Sequence, residues 1–159
     1  MKKMSLRAIS VAALAIILVL AAAQIPASGQ GKARRLEGTW RTSGTVINCQ
    51  TGATIALFLG LNTFMDGGSM FATGASNPAL TSTGYGVWEH AGGRSFTNTI
   101  VSFRFNADGS FAGTQKVTRQ IELDAIGDQF SSTNSLEIAD ATGNVIATRC
   151  STETGHRLE

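Results

Sequence analysis

From about residue 36 onward the chain is built of short apolar-polar runs rich in Thr, Ser, Gly, Val, Ile and Phe, broken by a turn cluster roughly every 8 to 12 residues. The clearest breaks are Asp66-Gly67-Gly68, Gly92-Gly93, Asn106-Ala107-Asp108-Gly109, Gly127-Asp128 and Asp140-Ala141-Thr142-Gly143-Asn144. Glycine supplies positive φ at such places and Asp or Asn closes the turn through its side chain. The runs between them predict strands over 38–48, 54–64, 69–75, 83–91, 95–105, 110–123, 129–139 and 144–153. Eight strands with hairpin links form an antiparallel meander that can close into an up-and-down barrel. No helical period survives the glycines and β-branched runs, so a turn over Lys32–Leu36 is the best helical segment. Ala75-Ser76-Asn77-Pro78-Ala79-Leu80 is the longest irregular stretch, and Asn-Pro marks it as a turn.

Alternation assigns faces. In 110–123, Ala112, Thr114, Lys116, Thr118, Gln120 and Glu122 form a solvent-facing set, while Phe111, Gln115, Val117, Arg119, Ile121 and Leu123 point inward. In 95–105, Val101, Phe103 and Phe105 share one face and Phe96, Ile100 and Arg104 the other. Apolar side chains on both faces there imply an outer contact, in the simplest case a homodimer. In 38–48, an inward Trp40 takes Thr42, Gly44 and Val46 with it and leaves Cys49 outside. The same parity in the last strand turns Val145, Ala147 and Arg149 inward and Cys150 outward, unless a bulge reverses it.

The N-terminal residues change the compartment. Lys2, Lys3 and Arg7 precede an apolar run from Val11 to Ala23 and then small residues, the layout of a cleaved secretory signal peptide. Cleavage suits Ala21-Ala22-Ala23 or Ala27-Ser28-Gly29; the second divides the chain into a signal over 1–29, a tail over 30–36 and a barrel domain over 37–159. The run is shorter than the roughly 20 residues of a membrane span, so no stable membrane anchor is expected. Removing those three cations takes the formal charge from +2 to −1. No basic stripe is left to hold a phosphate backbone, which argues against nucleic-acid binding. A mature chain of about 130 residues is one domain.

Secreted or periplasmic location makes the two cysteines a disulfide, Cys49 to Cys150. Closure of the meander pairs the first strand with the last, which brings them together. The bridge closes a loop of about 100 residues, worth roughly 4–5 kcal/mol in the chain-entropy account. There is no CxxC and no His/Cys cluster, so neither a metal nor another cofactor is indicated.

Gly38-Thr39-Trp40 opening the first strand of such a meander resembles the Gly-x-Trp signature of the lipocalins and the wider calycin group. The resemblance implies a lipocalin-like barrel carrying a small ligand, with Trp40 closing its floor. It also implies a basic residue after the last strand lying across that tryptophan, here Arg157. The stretch from Thr81 to Gln115 is similar to a recurring type of exported bacterial protein and adds no function of its own.

The residues fit binding better than chemistry. Trp40, Trp88, Phe111, Gln115, Val117, Arg119, Ile121 and Arg149 form the expected ligand-binding set. An inward arginine must be paired, since a bare buried charge is prohibitively costly. Either an internal acid or water network serves Arg119 and Arg149, or an anionic ligand head does, with the apolar residues around its tail. His90 and Tyr85 are the nearest approach to an acid/base group, but alternation puts Glu89 and His90 on opposite faces. No nucleophile elbow, P-loop or HExxH pattern is present. The expected function is non-enzymatic carriage of a small, largely apolar molecule, hydrophobic or amphipathic, acidic if the arginines take its head. The alternatives are a barrel cyclase or isomerase of the allene oxide cyclase or dirigent kind, by fold-level analogy alone, and a structural module with a filled barrel.

Overall fold

A computed structural model describes residues 35–158, so the signal-peptide reading and most of the expected Lys32–Leu36 turn lie outside the described residues. Eight strands follow one another: β1 (Gly38–Ile47), β2 (Thr54–Phe64), β3 (Ser69–Gly74), β4 (Gly84–Gly92), β5 (Ser95–Phe105), β6 (Phe111–Leu123), β7 (Gln129–Ala139) and β8 (Val145–Arg157). Each pairs antiparallel with the next, and β8 pairs antiparallel with β1, giving a closed up-and-down barrel. This is the expected architecture. Every strand is paired on both sides, but the short β3 covers only Gly60–Phe64 of β2, so the mouth end of β2 has no strand partner on that side.

The turns work as the glycines foretold. Gly67, Gly93, Gly109, Gly127 and Gly143 all take positive φ. Asp140 closes the β7–β8 turn by accepting the backbone N–H groups of Thr142 and Asn144 at 2.9 and 3.0 Å. The long β3–β4 connection is not free: Ser82 N and Phe105 N bond to Phe103 O and Leu80 O, tying it to the end of β5.

β8 runs four residues beyond its expected end. Ser151-Thr-Glu-Thr-Gly-His-Arg157 has no apolar alternation, yet β1 and β7 offer it partners as far as Trp40↔Arg157 and Gln129↔His156. Pairing on both sides overrides weak local propensity.

One end of the barrel is packed shut. Leu36, Trp40, Phe64, Met70, Phe96, Ile121, Leu123 and Phe130 are buried there. Trp40 meets Phe130 edge-on at 5.1 Å, and Phe130 meets Phe64 in the same way at 6.3 Å. Gly155 faces Phe130 across the β7–β8 ladder, and a side chain there would run into its ring. Fully burying one such large apolar side chain is worth roughly 1.5–3 kcal/mol.

Arg157 straps this floor. Its guanidinium carbon lies 4.2 Å from the Trp40 ring centroid. Nε donates to Gly127 O at 2.9 Å, and Nη1 and Nη2 donate to Glu37 O and Arg35 O at 2.6 Å each. The cation therefore ties three segments of backbone together under the tryptophan. Gly38 is needed beside it, because its φ of 124° suits glycine and a Cβ would sit 2.8 Å from Arg157 Nη1.

The Cys49–Cys150 disulfide joins β8 to the end of β1 at the opposite, open end, with the Cα atoms 5.1 Å apart. Ile47 is the register partner of Cys150, so the bridge continues the β1–β8 ladder beyond its last pair.

Candidate functional site: the barrel lumen

Above the floor the barrel encloses a cavity of about 1630 Å³ that opens toward the disulfide end. Drug-sized ligand sites occupy about 300–1,000 Å³, so the lumen has room for a substantial molecule.

The lumen is layered. Directly above the aromatic floor lies a collar of buried polar side chains: Thr42, Asn62, Asn98, Arg119, Ser132, Asn134, Ser151 and Glu153. Above the collar the wall becomes apolar again, with Phe58, Ala72, Ile100, Val117 and Leu136, and Gln115 and Arg149 lie higher still. Each layer follows from strand parity. β6 presents Leu123, Ile121, Arg119, Val117 and Gln115 in succession from floor to mouth, all on one face.

The collar is organised by register. Asn98 pairs with Arg119, Arg119 with Asn134, and Asn134 with Ser151, so four polar side chains lie in one row across β5, β6, β7 and β8. Glu153 supplies the acid that the buried arginine requires. Its Oε2 lies 3.2 Å from Arg119 Nε, and both side chains are more than nine-tenths buried. Asn62 Nδ2 donates to Glu153 Oε1 at 3.0 Å, and Ser132 Oγ reaches Oε2 at 3.4 Å. Asn134 Nδ2 donates to Ser151 Oγ at 2.9 Å.

Pairing is incomplete. The Arg119 Nε–H does not aim at the carboxylate, so the contact is an ion pair without a hydrogen bond. Arg119 Nη1, both amide atoms of Asn98 and Oδ1 of Asn134 have no hydrogen-bond partner. Native proteins leave few buried polar atoms in this state, and here they gather in one row.

The expected binding residues divide into three groups. Gln115, Val117, Arg119, Ile121 and Arg149 line the cavity. Trp40 and Trp88 belong to the floor: Trp88 packs against Phe64 and Phe96, and its Nε1 donates to Met65 O and Ser69 O at 3.0 and 3.1 Å. Phe111 is not in the lumen. A bulge sets Phe105 opposite Phe111 but Arg104 opposite Gly113, so Phe111 falls on the outer face with Phe103, which it meets edge-on at 6.0 Å. Gly113 takes a φ of 122° at this bulge. A second bulge, at Ile146, pairs Val145 with Ala139 and leaves Val145 58% exposed and away from the lumen, whereas its parity predicted an inward position.

Tyr85 and His90 are not brought together. Tyr85 stands on the outer face, 69% exposed, against Phe71. His90 sits at the floor-end β4–β5 hairpin, where its Nε2 lies 3.1 Å from Gly93 O and its ring packs on Phe96. Among the described residues no cluster of His, Cys, Asp or Glu is placed to hold a metal, and no helix is long and apolar enough to cross a membrane.

Sequence reasoning singled out Arg119 but missed Glu153, Asn98, Asn134 and Asn62. The signal was parity: Glu153 alternates with the inward Arg149 and Ser151, and Asn98 lies between the inward Phe96 and Ile100. No family model matches the chain, and no curated protein and no solved structure matches it.

Proposed function

We propose that this protein is an exported carrier that holds a small, largely apolar molecule non-covalently in the lumen of a lipocalin-like barrel. The observation that supports this is the cavity of about 1630 Å³ between a sealed aromatic floor and an open mouth. A structural module would fill that space with side chains. The two residues weighed for acid/base work are not in the lumen, since Tyr85 lies outside and His90 at the floor hairpin. Export agrees with the Cys49–Cys150 bridge, which belongs to an oxidising compartment, secreted or periplasmic.

The test is titration with a neutral solvatochromic dye such as Nile red, against the parent protein and an Ala72→Trp variant that puts an indole ring into the lumen. Blue-shifted saturable emission in the parent, weakened in the Ala72→Trp barrel, is the expected result. Equal binding to both would move the dye to the outer surface and end the carrier reading. That surface is where we place the homodimer contact: Leu57, Leu59, Tyr85, Val101 and Phe103 are exposed on β2, β4 and β5. Sedimentation equilibrium checks it, and a monomer at high concentration contradicts it.

A further inference from the structure

The collar specifies which end of a ligand enters first and what charge that end carries. Resting on the carrier reading, we propose that the collar receives the uncharged, donor-and-acceptor head of an amphipathic molecule, of carboxamide type, with its apolar tail directed toward the mouth.

Three observations lead there. The first is charge: Arg119 is already balanced by Glu153 at 3.2 Å, so the collar as a whole is neutral. A carboxylate placed beside Arg119 would also stand beside Glu153, and the low-dielectric lumen magnifies that repulsion. An ammonium would meet Arg119 in the same way. Of the two resolutions the sequence left open for Arg119, an internal acid and an anionic ligand head, Glu153 supplies the first.

The second is the unused hydrogen-bonding capacity. Arg119 Nη1 offers a donor and Asn134 Oδ1 an acceptor on side chains that are register neighbours and both line the cavity. Asn98, beside Arg119 on the other side, also carries an unpaired donor and acceptor but does not line the cavity. Its two amide atoms are both unpaired, so either orientation of the amide presents one donor and one acceptor. A head that accepts from Arg119 and donates to Asn134 completes the row, and a carboxamide does both with adjacent atoms. Buried donors and acceptors need partners, and a head whose own groups match them takes the place of solvent there.

The third is layering. Below the collar the floor is closed by Trp40, Phe64 and Phe130, which leaves no space for a tail. Above it, Ile100, Val117 and Leu136 line the way to the mouth. Polar end down and apolar end up fits both layers, whereas a head held at the mouth by Gln115 or Arg149 would leave the collar atoms unpaired.

The experiment is competition against bound Nile red at pH 7.5 by three molecules with the same ten-carbon chain: decanamide, decanoate and decylammonium. Decanamide should bind at least ~10-fold more tightly than either ion, and its addition should shift the side-chain amide resonances of Asn134 in a ¹⁵N-correlated NMR spectrum. Glu153→Gln removes the balancing charge and leaves Arg119 positive, so this variant should prefer decanoate over decanamide. Equal affinities for the three heads, or tighter binding of decanoate by the parent protein, would overturn the proposal while leaving the lumen as the binding site. Failure of both the dye and every alkyl probe to bind would overturn the carrier reading and the proposal with it. The parent protein alone decides between these results, so they stand even if Glu153→Gln does not fold.

Discussion

The two lower layers of the barrel, floor and collar, are buried to a similar degree and built on opposite principles. In the floor Trp40 is fully enclosed, its Nε1 donates to Leu36 O at 2.9 Å, and aromatic edges meet aromatic faces around it. In the collar, one turn of the strand pleat away, Arg119, Asn98 and Asn134 are over nine-tenths buried but keep unpaired donors and acceptors. Burial with complete packing and pairing is what stability selects. Burial with leftover polar atoms around an open cavity lowers stability and is retained where something else supplies the partners.

Substitutions should separate the layers sharply. Trp40→Ala removes the centre of the floor and the platform for Arg157, and should cost about 3–5 kcal/mol in urea unfolding. A loss below about 1 kcal/mol would show that the floor is not the stabilising core. Arg119→Met should cost a similar amount, about 3–5 kcal/mol, but because it strands Glu153 as a buried charge. The double variant Arg119→Met/Glu153→Gln identifies the cause. It should recover to within about 1 kcal/mol of the parent, since the glutamine oxygen still accepts from Asn62 and no charge is left unpaired. A double variant as unstable as the single one would make the collar a structural element like the floor.

Asn98→Leu should stabilise the empty barrel by about 1 kcal/mol, because it removes two unpaired polar atoms from a buried site. Asn98 does not line the cavity, so the same change should leave decanamide affinity nearly unchanged, whereas Asn134→Leu removes an unpaired acceptor that does line it and should weaken decanamide; this contrast distinguishes a binding residue from a packing one. The smallest effect lies outside both layers, at Asp140. The Thr142 hydroxyl, first, and the Asn144 backbone N–H hold its carboxyl below the ordinary value of 3.8. A carboxyl depressed in the folded state stabilises the fold above its unfolded pKa, and that contribution fades as pH falls through the folded value. Asp140→Asn should therefore lose this small contribution at pH 7 and converge on the parent's stability as pH falls below about 4, which flattens the acid limb; an unchanged acid limb would contradict it.

The architecture was legible because turns and alternation are local signals. Gly-rich clusters marked the hairpins, and the pairing of first and last strands then placed Cys49 beside Cys150. Trp40 and Arg157 were legible through their resemblance to a known signature, and the geometry puts them in contact. The lumen was legible only in part. Phe111 and Val145 were misplaced because a bulge shifts parity by one residue, and neither Ala112-Gly113 nor Ile146 announces a bulge in composition alone. The collar was missed because Ser151 and Glu153, although inside the expected strand 144–153 and on the same face as Arg149, carry no apolar pattern to mark that face as inward. Only the closed ladder shows that this inner face meets Arg119.

The most direct test of the account is native mass spectrometry of the full chain exported to a periplasm and kept unreduced. The expected result is a retained adduct of a few hundred daltons, less abundant in the Ala72→Trp barrel, together with a mass showing no free thiol. A clean unliganded mass for the parent, with unchanged thermal stability on adding neutral amphiphiles, would contradict the claim that the lumen is a binding site.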